Sequence, residues 1–434
     1  EASEDALYNI KVVWKALETG VDFEIGVKLD GDYPYEALKN TVLSRMWKNS
    51  TDTPIVDAKG NQYAPEQIEV RDYIETVLQD TTGVTDRPYL IAVSKGAHTV
   101  TLSNPEQPIV IKSIKLIPPE QPKKYSAEKI KKTDARIIEI QGESATLKNS
   151  NNIIPKSDNR NAGMTPVDSF NQKINYIGGT AWQSPGDKIE WNFTVQTEGY
   201  YNLAIRYKQS DLINGNSLRL LKIDNKIPFK EAEELYFPYG TNWEYFVLGD
   251  ENPYYIYLEE GNHTVSLEVT VGEQSQFVSR LSKIVEALGD EYINIIMITS
   301  ETPDMNMDYE LFKKIPNYNE NLTVYRDELK KLADDMRNTL EGGTTQCIAS
   351  IENMARVLNN MLRSPYIAQQ YVKSYYSSYT SLSSWLHDMI KMPLAIDEIQ
   401  FVPAGKEYVN KDAGFLKSFI FGINKFLISF SSDY

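Results

Sequence analysis

The chain writes one pattern twice. Residues 6–15 read ALYNIKVVWK, and residues 199–208 read GYYNLAIRYK. VKLDGDYPY at 27–35 is matched by LKIDNKIPF at 221–229, and PYLIAVSKGAHTVTL at 88–102 by PYYIYLEEGNHTVSL at 253–267. The blocks keep their order, so the chain must contain two copies of one folding unit. His98 and His263 occupy the same repeat position, which points to a turn or strand requirement rather than to chemistry.

The repeated unit reads as strands. Ile189, Trp191, Phe193 and Val195 alternate with polar residues, as do Leu203, Ile205 and Tyr207, and later Val265, Leu267 and Val269. Period-two alternation bounded by Gly, Pro, Asn and Asp predicts antiparallel strands with one buried face. Asp30-Gly31 and Asp224-Asn225 are hairpin dipeptides. The expected fold is β plus α: two β-sandwich (jelly-roll, galactose-binding-like) repeats followed by an α-helical domain.

The first jelly roll is expected at 1–120, with an insertion near 49–79 holding a helix around 65–79. A linker at 121–136 leads to the second jelly roll at 137–300, which has a helical insertion near 274–289 and YINIIMIT (292–299) as its closing strand. Only five residues precede the matching block of the first copy, against roughly 60 in the second. The first jelly roll is therefore expected to be N-terminally incomplete, the chain starting inside a domain, with exposed sheet edges. From 301 to 434 the period changes. Tyr325, Leu329, Leu332, Met336 and Leu340, then Cys347, Ile351, Met354, Leu358 and Met361, follow helical spacing, with Gly342-Gly343 ending the first run. One strand, near 395–403, is expected to join the second sheet, and a last helix to span 411–430.

A net charge of −15 argues against nucleic acid, which requires a basic face. The longest apolar run, 415–430, is broken by Lys417, Asn424 and Lys425 and is too short to span a bilayer. No G-x-S-x-G, Walker A or zinc-ligand spacing occurs. With 60 acidic residues, a pair such as Glu233/Glu234 has no diagnostic value for glycoside hydrolysis. No catalytic residue is assigned, and the chain is expected not to be an enzyme. Cys347 and His387 fall on apolar helix positions and are expected to be packed.

IEIQGESAT (138–146), GG…SPGDKIEWNFTV (178–195) and GYYNLAIRY (199–207) resemble carbohydrate-binding modules of the jelly-roll kind, families 6 and 35. The repeat, the helical segment and the closing SFIFGINKFLISFSSDY together resemble the N-terminal region of extracellular solute-binding lipoproteins of Gram-positive ABC sugar importers. This resemblance implies non-catalytic capture of oligo- or polysaccharide at the cell surface. It also implies a transporter permease as partner through the rest of the protein, and membrane attachment only through an anchor outside this chain. Modules of this type often hold a structural Ca²⁺, for which Glu139, Glu143 and Asp187 are the local candidates. Glu143 matches the opening-strand glutamate of the family, and Gln141 stands where many members carry a second acid.

A pyranose is bound by an aromatic plane with amides or carboxylates for its hydroxyls. In the second copy, Trp182, Tyr236, Tyr239 and Trp243 lie in expected loops near Asn175, Asp211, Asn214, Asn216 and Asn242. Trp47 corresponds in the first copy, and Trp191 reads as core. For Trp182 and Trp243, ligand and core roles both stay open. Two rival readings also stay open: a structural assembly whose jelly rolls bind no sugar, and a fragment of a glycosidase.

Overall fold

The two copies fold alike down to their irregularities. Strand Ala6–Ala16 pairs antiparallel with Ile109–Ile117, and Gly199–Gln209 pairs likewise with Leu394–Pro403. The register slips between Val13 and Trp14 in one ladder and between Arg206 and Tyr207 in the other, which is the same repeat position. The computed structural model describes residues 4–18, 20–85, 88–103, 108–127, 130–213, 215–339 and 345–428. Leu340, Gly342-Gly343 and Asn214 lie outside them.

The repeated histidines are hairpin locks. His98 Nδ1 lies 2.6 Å from Asp30 Oδ2, and its Nε2 2.7 Å from Ser94 O. His263 makes the same pair of contacts, 2.7 Å to Asp224 Oδ2 and 2.9 Å to Glu259 O. Both ring nitrogens face acceptors, an arrangement that favours imidazolium. The Asp30 hydrogen bond is the largest influence raising the His98 pKa. At His263, burial pulls downward, but the bonds to Asp224 and the Glu259 carbonyl outweigh it. Asp30 and Asp224 adopt positive φ (52° and 50°), as short acids tolerate in tight turns.

The second sandwich has two sheets. In one, Leu394–Pro403 is central, flanked by Gly199–Gln209 on one side and by Ile138–Gln141 and Tyr176–Gly179 on the other. The other sheet runs Leu235–Pro238, Asn216–Ile223, Gly261–Thr270, Lys188–Val195, Leu147–Lys148. Trp191, Leu203, Ile205, Leu221, Leu267 and Phe401 fill the space between the sheets and are fully buried.

The closing strand is not the expected one. Residues 292–299 belong to one continuous helix, α1, Ser275–Thr299. Leu281, Ile284, Val285, Leu288 and Ile295 make one buried stripe along it, which continues past Gly289. Leu394–Pro403 closes the sandwich instead. The fold class is β plus α as expected, and the helical bundle sits in the chain between two strands of the second jelly roll, Gly261–Thr270 and Leu394–Pro403. The remaining helices are α2 (Leu311–Lys314), α3 (Tyr318–Thr339), α4 (Thr345–Arg363), α5 (Val372–Met389) and α6 (Phe415–Ile428). Leu329, Leu332, Met336, Ile351, Leu358 and Leu382 form the bundle core. Gly289 lets α5 approach closely, because a Cβ there would lie 2.9 Å from the Tyr379 hydroxyl. Cys347 is buried as expected, which pushes its thiol up to about 12, whereas His387 is exposed.

The expected helix at 65–79 is also absent. Those residues form strands Gln67–Glu69 and Ile74–Val77, paired with Trp47–Asn49 and with Ala6–Ala16. Neighbouring strands supply partners for the β-branched Ile68, Ile74 and Val77, and this tertiary context decides. Ile74 pairs with Trp14 as Glu244 pairs with Tyr207, so Tyr73, not Trp47, is the counterpart of Trp243. Trp47 instead pairs with Lys148 and extends the second copy's sheet into the first copy's insertion. Lys148 is fully buried there, with Asn49 Oδ1 at 2.9 Å and Gln67 Oε1 as partners, and burial pulls its pKa down to about 8. Among the described residues, nothing pairs with the outer edges of Ile109–Ile117 and Val100–Ser103.

Because one strand closes the sandwich and anchors the bundle, Phe401→Ala is expected to cost about 3–5 kcal/mol. Urea unfolding followed by helical circular dichroism and by tryptophan fluorescence should show both signals shifting together.

Candidate functional site

Two clusters in the second sandwich carry polar chemistry. The first lies at one end, where 156–166, 209–213 and 239–243 meet. Asn175 is fully buried; its Oδ1 accepts from the Asp158 amide at 2.8 Å, and its Nδ2 donates to Asp158 O (3.0 Å) and Pro166 O (2.9 Å). The Trp243 indole donates to Asp158 Oδ2 at 2.9 Å and packs edge-on against Tyr176 at 5.6 Å. Burial raises the Tyr176 pKa, with Asp158 and Asp211 adding to it. Burial lowers that of Lys156, against the pull of Asp211. Burial also lowers the pKa of Lys425 in 415–428, against the pull of Asp158.

The structure gathers only part of the expected sugar set here. Asn175 and Trp243 join around Asp158, but as loop clamps, with Trp243 only 5% exposed. Trp182 has no open face. It is wholly buried, the Arg219 guanidinium covers its ring at 3.9 Å, and its indole donates to Asp187 O at 3.1 Å. Its assignment as a sugar platform is corrected to core. Tyr236 is half-exposed and donates to Glu234 Oε2 at 2.8 Å, Tyr239 is half-buried and Asn242 exposed. Tyr176, Asp158 and Lys156 were missed, although Tyr176 directly follows Asn175 in sequence.

The second cluster is a buried acidic pocket. Gln141 pairs in register with Glu398, and the 142–144 turn lies against the last strand so closely that a Cβ on Gly142 would meet Ile396 O at 2.2 Å. Trp191 fixes the turn by donating to Gly142 O at 2.8 Å. Glu143 is thereby brought beside Asp397 and Glu398. Burial pushes its carboxyl up to about 8, with those two neighbours adding to it. Burial likewise raises Asp397 to about 6, against the pull of Arg206. Arg206 Nη1 donates to Asp397 Oδ2 (2.6 Å) and Gly163 O (3.0 Å), and Nη2 to Asp412 Oδ1 (2.9 Å). Lys411 Nζ bridges Glu398 Oε1 (2.6 Å) and Glu139 Oε2 (2.9 Å).

The expected metal trio does not converge. Glu139 is held by Lys411, and Asp187 lies beside the other sheet, accepting from the Ser184 amide at 3.0 Å. Among the described residues, no three His, Cys, Asp or Glu side chains form a metal-binding group. Four buried acceptors nevertheless lack a donor around Glu143: Gln141 Oε1, Glu143 Oε2, Asp397 Oδ1 and Glu398 Oε2. An amide oxygen and neighbouring carboxylates buried without donors fit a hard cation.

Residues 276–392 match the family model of the bacterial solute-binding protein 4-helix bundle domain. No curated protein matches the chain. A family 35 carbohydrate-binding module from Clostridium thermocellum is 20% identical, covering 31% of this chain and 87% of that one, with a TM-score of 0.23. A Paenibacillus sp. cycloisomaltooligosaccharide glucanotransferase is 25% identical over 31% of this chain and 16% of that one (TM-score 0.23). A cycloalternan-forming enzyme from Listeria monocytogenes is 14% identical over 57% of this chain and 16% of that one (TM-score 0.22). The chain thus spans about a sixth of each of these enzymes. Among the described residues, no helix is long and apolar enough to cross a membrane.

The raised Glu143 pKa gives a signed pH effect. A carboxyl at about 8 when folded and 4.5 when unfolded contributes its full stability below pH 4.5 and loses it as pH rises through 8. Asp397 acts in the same direction. In chelator, the thermal midpoint is expected to fall between pH 5 and 8. Glu143→Gln should flatten that fall; an unchanged slope would show that Glu143 does not carry it.

Proposed function

We propose that this chain is a non-catalytic carbohydrate-binding region of an extracellular solute-binding protein for a sugar importer. The reading is carried by one observation. The bundle that matches the solute-binding protein family model is inserted between strands Gly261–Thr270 and Leu394–Pro403 of a jelly roll. Its sugar-facing candidate is the loop end with Tyr176, Asp158, Lys156 and Asp211, beside Tyr239 and Asn242. An aromatic ring with carboxylates and an amide suits C–H faces and hydroxyls together. Binding there is weak and gains from multivalency, holding glycan near a permease that the rest of the protein engages.

Calcium belongs to the same proposal. Gln141, Glu143 and Asp397 would hold it, with carbonyl and water oxygens completing the shell. Its chemistry would be structural: it offsets buried negative charge and ties the opening strand to the last one.

Two measurements test this reading. A glycan array followed by calorimetry should find an oligosaccharide ligand, and Tyr176→Ala should weaken it about tenfold, or about 1.4 kcal/mol. A folded chain that retains no glycan would favour the purely structural assembly. Calcium should raise the thermal midpoint by mass action, and Glu143→Gln should abolish that rise. A midpoint indifferent to calcium at neutral pH overturns the metal site alone.

A further inference from the structure

A cavity lies between the two sandwiches, away from both clusters above. It measures about 600 Å³, within the roughly 300–1,000 Å³ typical of small-molecule sites. Neither sandwich makes it alone. One wall comes from the start of Ala6–Ala16 with Val77, Gln79 and Leu90 of the first copy, the other from Asn216–Ile223 and Gly261–Thr270 of the second, and Pro118 and Pro119 close the side. At its floor, Gln79 Nε2 donates to Glu268 Oε1 across the domain boundary, 189 residues apart in sequence.

The walls combine two chemistries. Leu7 and Leu90 face the cleft from one side, Leu220 and Ile227 from the other. Leu220 sits on the outward side of its strand, next to Lys222 and opposite Glu268, where a solvated sheet would carry a polar residue. The polar lining is mostly acceptors. Glu4, Asp80, Glu120 and Glu268 contribute carboxylates; among the described residues, Lys222 is the cationic side chain of the lining, and it already lies 3.8 Å from Glu268. Aliphatic walls suit the C–H faces of sugar rings. Carboxylate and amide oxygens accept from hydroxyls, and the excess of negative charge repels anions.

We propose that this interdomain cleft is a second ligand site, and that it takes an uncharged oligosaccharide while rejecting uronate-bearing ones. The choice of sugar rests on the carbohydrate reading above; the existence of the cleft does not. A ligand seated here touches both copies, so its binding clamps the two sandwiches together. That gives the repeat a use that neither copy has by itself.

The test uses the whole chain. Uncharged gluco-, xylo- and manno-oligosaccharides are titrated by calorimetry against glucuronate- and galacturonate-bearing ones and against spermidine. Leu7→Trp fills the cleft from a position that is 49% exposed, so folding is not at stake, and Leu90→Trp is the second filling variant. Expected are binding of an uncharged oligosaccharide and a loss of tenfold or more in Leu7→Trp. In Tyr176→Ala the cleft component should persist, with slowed hydrogen exchange at 77–80 and 266–270 on binding. Binding that both filling variants spare overturns the cleft and leaves carbohydrate recognition standing. Tighter binding of uronates or spermidine overturns the ligand class. No binding of any sugar by the wild-type chain overturns the carbohydrate reading itself.

Discussion

The pairing of Leu394–Pro403 into the middle of the second sandwich is the constraint on which the rest depends. Every residue of this strand is buried, and its ladders reach Ile138–Gln141, Tyr176–Gly179 and Gly199–Gln209. It supplies Phe401 and Ile399 to the core, Asp397 and Glu398 to the acidic pocket, and the return point of the bundle. Without it, the opening strand would have no partner and Arg206 would lose its principal counter-charge. A buried guanidinium left unpaired is strongly destabilising, so the electrostatics and the sheet stand or fall together.

A second joint fixes the two copies to each other. The insertion in the first copy donates strands to the sheet of the second, and Lys148 lies within the seam with only amide partners. Arg45 secures the root of this insertion, donating to Val21 O and Glu18 O at 2.6 Å each and pairing with Glu69. A continuous β-ladder between domains resists the hinge motion that ordinary linkers permit. The cleft above it therefore has a defined shape rather than a varying one.

Much of this architecture was legible in the sequence because repeated constraints leave repeated letters. His98 and His263 were readable as turn requirements, since each ring is used up by an aspartate and a carbonyl four residues away. Trp191 was legible as core from strict alternation. The failures have a common physical origin in long-range context. Residues 292–299 are β-branched enough to pass for a strand, but their partners are α3 and α5, helices that come later in the chain. Trp182 resembled an exposed platform because its neighbours are polar, and nothing local reveals that Arg219 covers it. Asn175 likewise looked like a sugar ligand, whereas its amide is spent on the Asp158 and Pro166 backbone. The pocket around Glu143 was half readable: Gln141 and Glu143 stand together in sequence, but Asp397 arrives from 254 positions downstream.

Placing the bundle between two strands of one sandwich has a kinetic consequence. During synthesis, Gly261–Thr270 emerges long before the strand that must complete the facing sheet, with α1 to α5 in between. Closing so long a loop as a flexible chain carries an entropic penalty that grows with its length. Helices form from local contacts on faster timescales than distant strands find each other. A folded bundle shortens the effective loop and brings its two ends back toward the waiting sandwich. In this chain the helices thus act as an internal template for β-sheet closure, and the half-built sandwich must keep its apolar face from other chains until they have done so.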